Sequence, residues 1–222
     1  VGAQTLIIAS RNPDAHFTSV DISAESLAQA QTSIREANLS NVVFEQRDLF
    51  TLPYADGAFD HVFVCFVLEH LPDPLRALVC LKRFLKPGGS MTVIEGDHGS
   101  AFFHPDSPAA RKAVQCLIDV QAAMGGDSLI GRRLYPLLVE AGLHDVSVSP
   151  RMVYADAAHP AMVEGFTRNT FTAMVEGVED NAIARGLIAA ADWDRGIEDL
   201  YRTAESDGVF CYTFFKGMGI KE

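Results

Sequence analysis

Apolar positions along the chain alternate between a strand-like and a helix-like period. Phe17-Thr18-Ser19-Val20-Asp21 and Val42-Val43-Phe44-Glu45-Gln46-Arg47-Asp48 are short runs rich in β-branched and aromatic residues, and each ends in an acid. Between them Ser23 is a good helix N-cap, and Leu27, Ala30, Ile34 and Ala37 recur at helical spacing up to Asn38. Upstream, Leu6, Ile7 and Ile8 predict a helix stopped at Asn12-Pro13. The longest apolar run starts at Phe59-Asp60 and continues to Glu69-His70-Leu71-Pro72. It predicts a strand buried on both faces, as at the centre of a helix-covered parallel sheet. Cys65 to His70 then fall at the carboxyl end of that strand, where such sheets bind ligands.

The remaining chain keeps this rhythm. Asp73 caps and Pro74 starts a helix with Leu75, Leu78, Val79, Leu81 and Leu85 at core spacing, and Pro87-Gly88-Gly89 is expected to stop it. Met91 to Glu95 reads as a strand, and Gly96 to Ser107 as a loop. Pro108 opens a helix with Val114, Leu117, Ile118, Gln121 and Met124 on one side. Leu134, Leu137, Leu138 and Ala141 mark another, with Pro136 near its first turn because an interior proline costs about 3 kcal/mol. Val146 to Ser149 alternates as a strand, residues 155–207 are mostly helical in pattern, and Val209 to Phe215 is a last strand. Strands alternating with helices predict an α/β doubly wound, mostly parallel sheet, with a helical insertion before the last strand.

Composition narrows the function. A length of 222 residues suits one domain with a full core, spanning 1–222. A net charge of −11 argues against a nucleic-acid partner, since phosphate binding needs a cationic surface. Cys65, Cys80, Cys116 and Cys211 form no CxxC pair, so neither a zinc site nor a disulfide framework is indicated and a cytoplasmic location is expected. No apolar run approaches the roughly 18 to 20 residues of a membrane span. The chain opens on Val1 rather than methionine, which suggests an incomplete translation product.

Two successive strands ending in Asp21 and Asp48 favour a nucleoside ligand, because such a carboxylate accepts from ribose hydroxyls and a second can accept from an adenine amino group. The plainer reading is that each acid caps the turn that follows. Five segments carry a resemblance: Val1-Gly2-Ala3-Gln4-Thr5, Val20-Asp21-Ile22-Ser23, Arg47-Asp48-Leu49 with Leu52-Pro53-Tyr54 and Phe59-Asp60, Val67-Leu68-Glu69-His70-Leu71, and Leu85-Lys86-Pro87-Gly88-Gly89. In this order over residues 1–95 they resemble the class I S-adenosylmethionine-dependent methyltransferases, in the branch of the ubiquinone and menaquinone biosynthesis enzymes. The resemblance implies a Rossmann-like fold with residues 1–96 as the cofactor half and 97–222 as the acceptor half. It implies that Gly2, Ala3 and Gln4 meet the methionine part of the cofactor, Asp21 and Ile22 the ribose, Asp48 and Leu49 the adenine, and Cys65 and Phe66 the sulfonium end. The family's first strand and the start of its glycine-rich loop are expected upstream of Val1, and without them the chain is expected to fold and bind cofactor poorly. The family's last two strands form an antiparallel pair; here about 55 residues separate them, a long connection. Those helices are expected to cover the acceptor pocket, to be a solvated insertion, or to form a homodimer surface.

At the acceptor end Glu95-Gly96-Asp97-His98 follows a strand and reaches the pocket mouth. His98 is the candidate general base, with Asp97 or Glu95 orienting it, against the plainer reading of a surface histidine. Phe102, Phe103 and His104 would line an aromatic-accepting pocket or anchor the loop. Glu95, Asp97, His98 and His104 match no standard metal spacing, so no metal is expected. Tyr212 and Lys216 spell the YxxxK of short-chain dehydrogenases, but that pair needs helical spacing, and in a strand four residues span about 13 Å. The function expected is S-adenosylmethionine-dependent methylation of a small organic acceptor, aromatic or indole-type. The alternatives are a non-catalytic metabolite- or partner-binding relative and a nicotinamide-dependent oxidoreductase.

Overall fold

The computed structural model describes residues 2–222. Helix α1 (Ala3–Arg11), strand β1 (Phe17–Asp21), helix α2 (Ala24–Glu36) and strand β2 (Val42–Gln46) come first, with β1 and β2 pairing in parallel. Ser23 caps α2 as its sequence predicts, its hydroxyl accepting from the Ser26 amide at 3.1 Å. Strand β3 (Phe59–Cys65) leads to helix α3 (Pro74–Arg83), capped by Asp73 through the Arg76 amide at 2.9 Å. Strand β4 (Leu85–His104), helices α4 (Pro108–Ala123) and α5 (Leu134–Glu140) and strand β5 (His144–Asp156) follow. A helical cap comes next: α6 (Pro160–Met162), a π-helix (Val163–Thr172), α7 (Ala173–Glu176), α8 (Glu179–Ala184) and α9 (Ala190–Arg202). Strand β6 (Val209–Ile220) ends the fold.

The strands make two sheets, β1-β2 and β3-β4-β6-β5. β3 and β4 are parallel, while β6 runs antiparallel to both β4 and β5, so the last two strands are the antiparallel neighbours expected. The long apolar run is corrected in two ways. It is a strand only to Cys65, and it is not buried on both faces: Val64 is buried but Phe63 is exposed. The reason is position, since among the described residues β3 pairs on one side only, with β4.

Three boundaries also differ. Helix α3 ends at Arg83, and Pro87-Gly88-Gly89 lies in β4 at a bulge against Phe59 to His61. The segment expected as a loop, Gly96 to Ser107, is strand as far as His104 because β6 pairs with it. β5 runs on to Asp156, so the cap starts later than its pattern suggests.

Two cores result. One packs Val64, Met91 and Val93 of the sheet against Ala77 and Leu78 of α3 and Leu134 and Leu138 of α5. The other packs Ala155, Phe210 and Tyr212 against α4 and the cap, around Phe171, Trp193 and Leu200. Burial of such side chains contributes about 1.5 to 3 kcal/mol each. A separate latch ties α1 to β2: the Asn41 amide nitrogen lies 3.3, 3.1 and 3.1 Å from the carbonyl oxygens of Ala9, Asn12 and Ala15. Replacing Asn41 by Ala leaves those carbonyls to water and is expected to lower stability by about 1 to 3 kcal/mol. Hydrogen exchange should speed up over residues 12–17 while α4 and α9 keep their protection; uniform loosening would refute a local latch.

Candidate active site

Helix α1 leads into β1 and helix α2 leaves it, and α1 packs on α2, with Gly2 against Ala30. Register brings the ends of β1 and β2 side by side: Asp21 is opposite Gln46, the Arg47 backbone amide donates to the Asp21 carbonyl at 3.0 Å, and the Gln46 side-chain Nε2 donates to the Ile22 carbonyl at 3.0 Å. Asp48 and Leu49 follow on that edge. Cys65 and Phe66 close β3 at the same end of the four-stranded sheet.

Both acids do what the plainer reading expects. Asp21 Oδ1 accepts from the Ser23 amide at 2.8 Å, and Asp48 Oδ1 accepts from the Phe50 amide at 2.8 Å. Both residues are exposed, and each cap uses one oxygen. Capping orients each carboxylate and leaves its other oxygen outside the cap. Ile22 is exposed and Leu49 half-buried against the α3 core. Gly2 is the N-cap of α1 with φ 73°, and a Cβ there would lie 2.6 Å from that of Ala30. The glycine thus lets α1 sit on α2 and leaves the first-turn amides of Ala3 and Gln4 at an electropositive helix end. Burial pushes the Cys65 thiol up to about 12, so it packs as a neutral group. Phe66 turns the chain with φ 56° and its ring lies 5.3 Å from Phe214.

The acceptor end is built on β4 beyond β3. Glu95 is fully buried, and its Oε1 accepts from the amides of Val67 at 3.0 Å and Leu68 at 2.8 Å. It anchors the turn that carries Phe66. Burial raises its pKa to about 7 against the opposing effect of those two amides. Asp97, 2% exposed, does not orient His98. It receives a bidentate pair from Arg132 at 2.6 and 2.7 Å, because strand alternation turns it towards the segment before α5.

His98, 4% exposed, is bonded instead to the Tyr212 hydroxyl through Nδ1 at 2.7 Å, and burial pulls its pKa down to about 4. Expected as a loop histidine, it is a core residue at a bulge between Asp97 and Phe102. Phe102 points outward at 54% exposure and Phe103 inward, stacked on Phe210 at 6.1 Å. His104 pairs with Val209 at the far end of β4. Glu95, Asp97 and His98 thus have separate partners, and among the described residues no group of three or more His, Cys, Asp or Glu is arranged to hold a metal ion.

Several residues at this site are not singled out for it by the sequence, which offers Tyr212 only as half of a false dehydrogenase pair. Phe210, Tyr212 and Phe214 share one face of β6, and Phe166 of the π-helix contacts all three. Their alternation in a strand was the available signal. Gly96 has to be glycine because a Cβ would run into the Tyr212 hydroxyl. Glu69 is buried beside His70, and burial raises its pKa. Tyr212 and Lys216 both lie in β6, so they form no dehydrogenase pair. No helix among the described residues is long and apolar enough to cross a membrane.

The β1-β2 sheet thus carries Asp21 at the end of β1 with Asp48 just beyond β2, and the four-stranded sheet carries the turn at Phe66 beside the aromatic face of β6. The family model described as a methyltransferase domain matches residues 1–142, and the chain belongs to that family, with the class I methyltransferase fold. It is 34% identical over 191 residues to an uncharacterised 37.1 kDa protein in transposon TN4556 of Streptomyces fradiae, covering 85% of this chain and 51% of that one. It is 35% identical over 83 residues to the demethylmenaquinone methyltransferase of Listeria welshimeri, covering 37% of this chain and 35% of the relative. The chain thus spans about half or less of the length of these curated relatives. Among solved structures, the YcgJ protein of Bacillus subtilis superposes with a TM-score of 0.61 at 17% identity, over 100% of this chain and 88% of that one. The [4+2]-cyclase SpnF superposes with a TM-score of 0.56 at 22% identity, over 99% and 70%.

Glu95 makes stability depend on pH. Its folded pKa of about 7 exceeds the ordinary 4.5, so the folded state holds its proton more tightly. The stability this gives is complete below about 4.5 and is lost as pH rises through about 7. His98 acts oppositely, adding stability as pH rises from about 4 to 6.5. Glu95→Gln keeps an acceptor for the two amides and removes only the first effect. The variant should therefore gain on the wild type between pH 5 and 8, by about 1 to 3 kcal/mol at the upper end in urea melts. Parallel stability curves would show that Glu95 titrates normally.

Proposed function

We propose that the chain transfers a methyl group from S-adenosylmethionine to a small, partly apolar organic acceptor with a flat aromatic ring. The observation that carries this reading is the pair of capped, exposed carboxylates, Asp21 at the end of β1 and Asp48 just beyond the end of its parallel neighbour β2. The residues fit the cofactor. Asp21 offers its second oxygen to ribose hydroxyls, Asp48 and Leu49 border the adenine, and the Ala3 and Gln4 amides suit the methionine carboxylate. Cys65 and Phe66 border the sulfonium end, where a phenyl face favours a cation. The cofactor supplies an electrophilic methyl on sulfur. The protein's part is to hold an acceptor in line with that methyl and keep water away.

Support for a flat ring comes from the mouth. Phe66, Phe166 and Phe214 are half-buried there, with ring centroids 5.3 and 5.8 Å from Phe214. Aromatic surface left open beside a crevice suits another ring. Relatives on this fold differ in what their names specify: demethylmenaquinone for the Listeria enzyme, and phosphomonomethylethanolamine with S-adenosylhomocysteine for a Haemonchus contortus N-methyltransferase. Because SpnF is a cyclase, cofactor binding and turnover have to be measured separately.

Calorimetric titration of S-adenosylhomocysteine should give binding that weakens at least about tenfold in Asp21→Ala, consistent with loss of a charge-assisted hydrogen bond. NAD should give no heat. Equal affinity in both proteins, or competition by NAD, would reject the reading.

A further inference from the structure

His98 and Tyr212 form a closed two-residue account of protons. The phenol is buried, and burial with nearby carboxylates keeps it in its protonated form. Its one side-chain partner is His98 Nδ1, at 2.7 Å. His98 is neutral, because burial disfavours the imidazolium. Two arrangements are then open. If Nδ1 carried the proton, the phenol O–H would lack an acceptor and Nε2 would keep an unused lone pair. If the phenol donates to Nδ1, the proton of the ring sits on Nε2, and one orphan is left instead of two. A buried polar group without a partner is costly, so the second arrangement wins. Nε2 is the orphan the structure shows: it is buried without a hydrogen-bond partner.

A general base must have a free lone pair where the substrate proton is. With the proton on Nε2 and Nδ1 taken by Tyr212, His98 has no lone pair free to act as a base. Gly96 supports the same arrangement, since its missing side chain makes room for the Tyr212 hydroxyl. Around the pair lie the rings of Phe171, 5.9 Å from His98, and Phe166 and Phe214, 5.6 and 4.8 Å from Tyr212. The rings offer no acceptor of ordinary strength, and of the carboxylates that act on the pair, Glu69, Glu95 and Asp97, none hydrogen-bonds Nε2.

We propose that His98 is a specificity residue that donates through Nε2–H to an oxygen on the aromatic acceptor, a carbonyl or phenolate, and that Tyr212 is the positioning residue that fixes this tautomer. The proposal rests on the methyltransferase reading for its acceptor, but the tautomer stands without it. It replaces the role of base expected from the sequence. A hydrocarbon ring cannot use the donor and leaves it buried and unpaired, so the mouth discriminates between rings of equal shape by whether they carry an oxygen.

The test uses the full chain saturated with S-adenosylhomocysteine and two matched probe pairs, indole with oxindole and indene with 1-indanone. Nitrogen-15 NMR should show His98 protonated at Nε2 and bare at Nδ1. The oxygen-bearing probes should bind at least about tenfold more tightly than their partners and move the Nε2–H signal. The amide nitrogen of Gln reaches the place of Nε2, whereas that of Asn reaches only the place of Nδ1. His98→Gln should therefore keep the preference and His98→Asn lose it. Tyr212→Phe should mix the tautomers and weaken the preference. A proton on Nδ1 in the wild type overturns the proposal. So does equal affinity within both probe pairs, including the case in which a buried water holds Nε2–H and no probe shifts it. Failure to bind S-adenosylhomocysteine with the oxygen preference intact would overturn the methyltransferase reading and leave the assignment of His98 standing.

Discussion

Everything at the site hangs on the length of β4. It pairs in parallel with β3 as far as Cys65 and Ile94, and the Phe66 amide then makes a last bond to the Ile94 carbonyl at 3.0 Å. At that point Phe66 takes a left-handed φ and β3 is over. β4 continues to His104 with β6 beside it. A strand that outruns its neighbour has to be covered on both faces by something else. Here α4 and the cap cover one, and the segment from Ser128 to Arg132 reaches the other. The period of two then sorts the chemistry: Asp97 turns to Arg132, and Gly96 and His98 turn to Tyr212.

This sorting explains the electrostatics of the site. Glu69, Glu95 and Asp97 are all buried, yet only Asp97 has a guanidinium. Glu95 is stabilised by amide dipoles alone and Glu69 by a neighbouring histidine and Gln121, so burial prevails and raises both pKa values. Burial thus favours the neutral, protonated form of both carboxyls. The same burial holds Cys65 as a thiol and Tyr212 as a phenol.

What the sequence disclosed and what it hid divide along separation in the chain. Caps at Ser23 and Asp73, helical spacing in α2 and α4, and the acid at the end of β1 are written within a few residues, and each stands where the pattern puts it, whereas β2 stops at Gln46 and leaves Asp48 to cap the 3-10 turn that follows. The partners of Asp97 and His98 lie 35 and 114 residues away, and nothing local marks them. Gly96 and Gly99 argue for a loop on propensity alone, but pairing with β6 overrides propensity. The apolar run from Phe59 shows a similar limit. Composition says that a strand tolerates burial on both faces; the number of its neighbours decides whether it receives it.

The cap has a geometric reason to be π-helical where it meets this aromatic face. Phe166 and Phe171 both contact Phe210 and Tyr212. They are five residues apart. At 3.6 residues per turn they would diverge by about 140° around an α-helix, and one ring would leave the contact. A ladder of i to i+5 bonds widens the turn and brings residues five apart close to one line. The Thr170 hydroxyl follows this spacing, donating to the Gly165 carbonyl at 2.7 Å. The widened turn thus sets two rings on one row of β6, with Phe171 sealing the buried end beside His98 and Phe166 facing the half-open end beside Phe214. An α-helical cap of the same sequence would have to give up one of these, either the seal or the wall of the mouth.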